Sequence, residues 1–325
     1  MSASIAGPAD KEDSYAGVPE ERLFLTNARL QKRTSRSNTL MVAGSFAATL
    51  VAAAELIYGR VTPSALWVAL LFYLIGMTGI AMGFHRLFSH RAFVAPAGLR
   101  VALAIAGSVT AQGSVTHWVS NHRRHHAFTD QVGDVHSPYR KGQSIFSAWQ
   151  GFWHAQLNWI YTHRISNPLV FGKDMLRDRA LQRVSQLYSL WLVLGILAPA
   201  LIVFAFEGTL RGFLDGALWG GGVRIFFGIM LPSAVNSFGH MWGRRPYETA
   251  DQSRNVAWLA WLTLGEGWHN NHHAFPASAR AGIRWWQFDP VWWLILALER
   301  LRVVSDVRRP QAVHRGPLAR EGKSG

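Results

Sequence analysis

Residues 65–84 read ALWVALLFYLIGMTGIAMGF, and residues 85–90 continue as HRLFSH. The first part carries no charge and is close to the roughly 20 residues needed to cross a hydrocarbon core of about 30 Å. The second puts His85 and His90 at the mouth of that span. Outward from it lie three more apolar stretches, at 40–58, 187–206 and 213–238. Short connections, 59–64 and 207–212, join the four into two helical hairpins. Glu55, Asp215 and Arg224 are the charges inside the stretches. Glu55, near the end of the first, is expected to reach the interface. Arg224 follows three glycines and is expected close to the outer interface, with its guanidinium snorkelling to water.

The composition agrees with a membrane protein. Of 325 residues, 49% are hydrophobic and only 16% charged, against roughly 25% in a typical soluble chain. Cysteine is absent, which removes disulfides, thiolate metal sites and cysteine nucleophiles. A net charge of +14 fits an anionic membrane face better than nucleic acid, because total charge is low and the apolar runs are long. Lys and Arg concentrate in the N-terminal segment, in the central segment 85–186, and after Met241. The positive-inside rule therefore places both termini and the central segment in the cytoplasm. Residues 1–37 lack an apolar signal-peptide core and read as a loose cytoplasmic tail. Residues 38–301 form the membrane domain, and 302–325 a basic tail; both ends are expected to be disordered. Two further segments are apolar enough to raise the question of a span. Leu99–Val119 and the tryptophan-rich Trp285–Leu301 are both read as interfacial helices.

The chemistry lies in the fourteen histidines. HRRHH (His122, His125, His126) and HNNHH (His269, His272, His273) each space them i, i+3, i+4, on one face of a helix. Asn236 and His240 are i, i+4 at the end of the fourth stretch. His85 and His90 are five apart and would diverge on a regular helix, so one is expected where the helix ends. Neutral imidazole is the commonest metal ligand and suits iron, copper, zinc and nickel. Nine histidines exceed what one metal holds; two metals with four or five nitrogens each would use them all. A shared site also fixes topology. Two spans separate the first box from Asn236 and His240, and the second box stays on that face only if Leu99–Val119 does not cross. Asp130, Asp134, Asp251 and Glu266 are candidates to orient the rings through their second nitrogens. His117, His136, His154, His163 and His314 are isolated and read as packing or solvent-exposed groups, with His117 and His136 near enough to support the ligands.

Together GIAMGFHRLFSHRAF, HRRHHAFTD, NSFGHMWGRRPY and GEGWHNNHHAFP resemble, in order and spacing, the blocks of the membrane fatty-acyl desaturases of the stearoyl-CoA desaturase type. The resemblance runs from about the first span to Leu301. It implies an all-α membrane protein with four spans and a cytoplasmic helical cap. It implies a non-haem di-iron centre on His85, His90, His122, His125, His126, His240, His269, His272 and His273, with Asn236 acting through water. The implied activity is O2-dependent insertion of a cis double bond, typically Δ9, into a saturated acyl chain. The carrier is CoA, a glycerolipid or acyl carrier protein. Ser120 and Asn121 stand where animal acyl-CoA enzymes have an Arg–Asp pair, while the basic pair Arg140 and Lys141 persists and is a candidate for the substrate head group. With no HPGG motif and no cysteine, electrons are expected from a separate donor such as ferredoxin with its reductase. The second and third boxes also resemble those of bacterial and cyanobacterial relatives, so a bacterial inner membrane is the expected location. Two other readings compete. One is a hydroxylase on the same histidine scaffold; the other is a metal transporter, which the scarcity of ligands along the spans disfavours.

Overall fold

The computed structural model describes residues 18–139, 145–161 and 164–310. Among these no strand forms; only isolated bridges interrupt a helical chain. The principal helices run in chain order as α1 (Ala28–Ile57), α2 (Pro63–Ser89), α3 (Ala97–Ser108), α4 (Val115–Phe128), α5 (Ile145–Gln156), α6 (Tyr188–Glu207), α7 (Leu210–Met241), α8 (Ala257–Leu262), α9 (His269–Ala274) and α10 (Pro290–Arg300). Helices α1, α2, α6 and α7 are long and apolar enough to cross a membrane. Their outward faces carry exposed large apolar side chains, among them Phe46, Leu50, Trp67, Leu71, Leu197 and Leu201. Such a band suits hydrocarbon and would be a liability in water.

The two hairpins are latched at the end away from the histidines. Glu55 accepts from Arg211 Nη2 at 2.6 Å and from Trp219 Nε1 at 3.1 Å. Arg211 Nε also pairs with Asp215 at 2.7 Å, and the Thr62 hydroxyl donates to the same carboxylate. Glu55 thus ties α1 to α7 instead of standing alone at the interface.

Arg224 departs further from its expected place. It is 3% exposed, inside the bundle. It meets no carboxylate among the described residues; its guanidinium donates to three backbone carbonyls. Pro199 sits inside α6 and lacks the N–H that would bond the carbonyl four residues back, at Gly195. Arg224 Nη2 supplies that bond at 2.9 Å. Nη1 donates to Val109 O, at the C-cap of α3, at 2.8 Å, and Nε to Gly220 O, in a π-helical stretch of α7, at 2.6 Å. Pro232 in α7 frees Gly228 O in the same way, and Gln112 Nε2 takes it at 2.7 Å. Irregular backbone inside a membrane domain is tolerated where protein groups satisfy it in this manner.

Leu99–Val119 contains no helix long enough to cross a membrane. It forms α3, a turn, and the start of α4. Its end packs into the bundle, where Thr110 lies against both Gly76 and Gly228. The approach needs small residues, because a Cβ on Gly79 would fall 2.7 Å from the Gly107 Cα. Trp285–Leu301 is helical only from Pro290 to Arg300, and Trp285, 86% exposed, precedes the helix. Both expected tails are partly ordered. Residues 20–23 and 28–37 are helical, and Leu25 N bonds Ile165 O at 2.9 Å. Val304 and Val307 are buried, and Ser305 pairs with Val94. The rest of each tail, 1–17 and 311–325, lies outside the described residues.

Candidate metal centre

Each histidine motif is delivered by a local feature of its helix. The C-terminal part of α2, Gly79–Ser89, is π-helical, and His90 N bonds His85 O at 3.1 Å. That i→i+5 turn brings two residues five apart onto one side, with His90 as the helix cap. Helix α4 begins at Ser114, whose hydroxyl accepts from His117 N, and carries the second box through its last turns. His240 occupies the last turn of α7. The third box is almost the whole of α9.

Nine histidines converge in two groups. His85, His90, His122, His126 and His272 place a ring nitrogen each within 4.8 Å of one another; His125, His240, His269 and His273 do the same. Each HxxHH motif serves both groups. The i, i+4 pair of box two goes to the first group and its middle histidine to the second, whereas box three does the reverse. Nε2–Nε2 distances are 2.7 Å for His90–His122, 3.0 Å for His85–His272, 2.9 Å for His126–His272 and 2.9 Å for His240–His269. Asn236 lines the cavity beside the second group.

The opposite nitrogens are held by acids. His125 Nδ1 meets Asp134 at 3.0 Å, His240 Nδ1 meets Asp130 at 2.9 Å, and His273 Nδ1 meets Asp251 at 2.8 Å. His85 Nδ1 contacts Glu266. All four acids suspected from the sequence are therefore ring partners. Burial would raise the Asp134 and Asp251 carboxyls, but His125 and His273 beside them hold both well below the usual range. Burial, and then the neighbouring rings, push His90, His122, His126, His269 and His272 well below the ordinary imidazole value. This favours the neutral ring, the form in which imidazole ligates a metal. Burial would lower His125 too, but Asp134, with Asp130 and Asp251 adding to it, raises it instead.

The donor set fits two borderline metal ions of the iron, zinc or copper kind. Nitrogens converge, carboxylates fix the ring orientation, and the buried Nε2 atoms of His125 and His273 have no hydrogen-bond partner.

Beside both groups lies a cavity of about 50 Å3, lined by Met77, Ile80, Trp118, Pro232, Val235, Asn236 and Thr263 as well as by His85, His122, His125, His269 and Glu266. Trp118 stacks on His122, with centroids 4.9 Å apart and planes 17° apart. Its Nε1 donates to Gln112 Oε1 at 3.0 Å. Neither Trp118 nor Gln112 stood out in the sequence; Trp118, one turn before His122 on the same helix face, carried the available signal. Arg86 also escaped notice. It is buried and pairs with Glu266 at 3.2 Å and Asp289 at 2.9 Å.

Of the isolated histidines, His117 bonds Asn121 Nδ2 at 3.0 Å, and burial pushes it down to about 4. His136 lies against His125 with ring centroids 4.3 Å apart. His154 is on α5, outside both groups. His163, His314, Arg140 and Lys141 lie outside the described residues. Ser120 and Asn121 point inward: both are buried and bonded within α4, to Thr116 O and His117.

A family model described as fatty acid desaturase matches residues 62–305. A hex-5-enoyl-[acyl-carrier protein] acetylenase of Moorena producens (strain JHB) is 42% identical over 240 residues, covering 73% of this chain and 75% of that protein. Delta-9 acyl-lipid desaturase 2 of Arabidopsis thaliana is 36% identical over 258 residues, 79% of each chain. An acyl-CoA C20 Delta5-desaturase of Anemone leveillei is 35% identical over 254 residues, 78% of this chain and 77% of the relative. The chain belongs to the fatty acid desaturase family and is an acyl desaturase.

Proposed function

We propose that this member of the fatty acid desaturase family inserts a cis double bond, at Δ9, into a saturated acyl chain carried on CoA or on a lipid. The observation that carries the reading is the pair of all-imidazole groups facing one apolar cavity. An unactivated methylene has no acidic proton, so no histidine or carboxylate base here would remove its hydrogen. Two iron ions, held by the five- and four-histidine groups with Asn236 acting through water, would supply O2-dependent hydrogen abstraction.

The chain's own residues do the rest. Met77, Ile80, Pro232 and Val235 offer an apolar wall to the methylenes and exclude water. Trp118, fixed by Gln112, closes the side next to His122. Asp130, Asp134, Asp251 and Glu266 hold four rings in one orientation. Arg140 and Lys141 are assigned to a phosphate of the head group.

The matched relatives name three carriers: acyl carrier protein, lipid and CoA. Ser120 and Asn121, turned into α4, offer nothing to a CoA phosphate. The exposed cations Arg29, Lys32, Arg33 and Arg36 at the start of α1 favour a cytoplasmic site. Two electrons per turnover come from an acidic carrier such as ferredoxin, docking on that basic face. The deciding experiment is the fatty-acid profile of a host lacking Δ9 desaturation, expressing the chain with ferredoxin and its reductase. New cis Δ9 monoenes, absent with His125→Ala, are expected. Hydroxylated acids in their place would refute the reading, as would an unchanged profile from iron-loaded protein tested with several donors and carriers.

A further inference from the structure

The two histidine groups differ in the charge behind them. In the four-histidine group, three rings of four are backed by carboxylates: His125 by Asp134, His240 by Asp130 and His273 by Asp251. Among the described residues none of these three carboxylates is ion-paired with Lys or Arg; Arg245 Nη2 donates to the backbone carbonyl of Asp251, not to its carboxylate. Asp134 accepts from Asp130 N at 2.9 Å and His136 N at 3.1 Å. Asp130 accepts from Gln252 N and the Ser137 hydroxyl, both at 2.8 Å. Asp251 accepts from Ser253 N at 2.9 Å and the Thr249 hydroxyl at 2.8 Å. Neutral donors hold them in place without cancelling their charge.

The five-histidine group is built differently. Among the described residues only His85 has an acid at its outer nitrogen, and that acid, Glu266, is shared with Arg86. Arg86 is itself buried between Glu266 and Asp289. The carboxylate facing the five-histidine group is therefore in a direct ion pair with a guanidinium, and the three behind the four-histidine group are not.

An imidazole that donates its outer N–H to a carboxylate is a more basic ligand. Uncompensated negative charge near a metal in a buried site also favours its higher oxidation state, since net charge and hydrogen bonding set such potentials. We infer that the two metal positions are redox-inequivalent, and that the four-histidine position, backed by Asp130, Asp134 and Asp251, is the first to pass from Fe(II) to Fe(III). The inference rests on the di-iron reading above. The step is a one-electron transfer: the iron at that position loses an electron and the oxidant gains it.

The test uses the full-length chain in detergent, loaded anaerobically with 57Fe and titrated with ferricyanide, which is reduced to ferrocyanide. Mössbauer spectra are recorded after each equivalent. One ferric and one ferrous signal should coexist after the first equivalent, with midpoints separated by at least tenfold in equilibrium constant, or about 59 mV for one electron. Asp134→Asn and Asp251→Asn should displace the signal that oxidises first and make its oxidation tenfold or more harder. Glu266→Gln, which changes the carboxylate behind the five-histidine group, should leave that signal in place. Removing such a partner also costs about 10–100-fold in metal affinity, so the aspartate variants should release one iron more readily and keep the other. Equal potentials, or Glu266→Gln shifting the first oxidation as far as Asp134→Asn, would overturn the inference and leave the di-iron reading intact. Fewer than two irons bound per wild-type chain would overturn both.

Discussion

Replacing Arg224 with Met tests whether a charge can serve a membrane fold without a counter-charge. The substitution keeps the apolar length of the side chain and removes its donors, leaving Gly195 O, Gly220 O and Val109 O without them. An unsatisfied buried polar group costs about 1–3 kcal/mol, so the gross loss is about 3–9 kcal/mol. Burying an unpaired ion costs several kcal/mol in its own right, and the variant recovers that part. The net expectation is a loss of about 2–5 kcal/mol. At roughly 2–4 °C per kcal/mol for chains somewhat shorter than this one, melting in detergent should fall by about 4–20 °C. The mechanism makes a sharper demand. Pro199→Ala restores an N–H that can bond Gly195 O within α6. In the Pro199→Ala background, Arg224→Met should therefore cost about 1–3 kcal/mol less than in the wild type, a coupling a double-mutant cycle resolves. Strict additivity would show that Arg224 does not serve the carbonyl Pro199 frees. An unchanged melting point in the single variant would refute the clamp altogether. Because Val109 leads through Gln112 to Trp118 and His122, the destabilised variant should also bind less iron.

The other predictions concern the site. His125→Ala and His272→Ala, which remove a donor from different groups, should each abolish turnover and lower bound iron towards one per chain, read by elemental analysis; full activity in either removes that residue from the ligand set. The metal-free protein should lose stability as pH falls from about 6.5 to 4. Burial holds folded His117 and His273 down at about 4, while the unfolded chain binds protons from about 6.5 downward. Below about 4 the depressed carboxyls of Asp134 and Asp251 extend the loss, since the unfolded state again binds protons first; denaturant midpoints flat from pH 7 to 3 would contradict this. Arg140→Ala with Lys141→Ala should raise KM for a phosphate-bearing substrate several-fold with little change in kcat. An unaltered KM would remove the pair from head-group binding.

Periodicity and length alone determined the membrane character of this chain, because a span must be apolar over a fixed distance whatever it packs against. The nine histidines were legible for a related reason: i, i+3, i+4 spacing places side chains on one helix face before any tertiary contact exists. Which histidine joins which group was not legible. His125 and His126 are adjacent in sequence yet enter different groups, a division set by how α4 lies against α2, α7 and α9. The five-residue gap between His85 and His90 pointed to a helix end, and His90 is the cap, but the π-helical turn that brings the two onto one side was not legible. Arg224 misled for the opposite reason. A lone charge in an apolar run suggests snorkelling, and a sequence does not show that Pro199, in another helix, leaves a carbonyl waiting for it. Likewise Asp130, Asp134, Asp251 and Glu266 became ring partners only through packing, since each lies at least nine residues along the chain, and three of them at least 22, from the histidine it holds. Local spacing is written in the chain because a helix repeats at short range. The pairing of buried polar groups is decided by the fold, because their partners are distant in sequence and the cost of leaving them unpaired is felt only when water is gone.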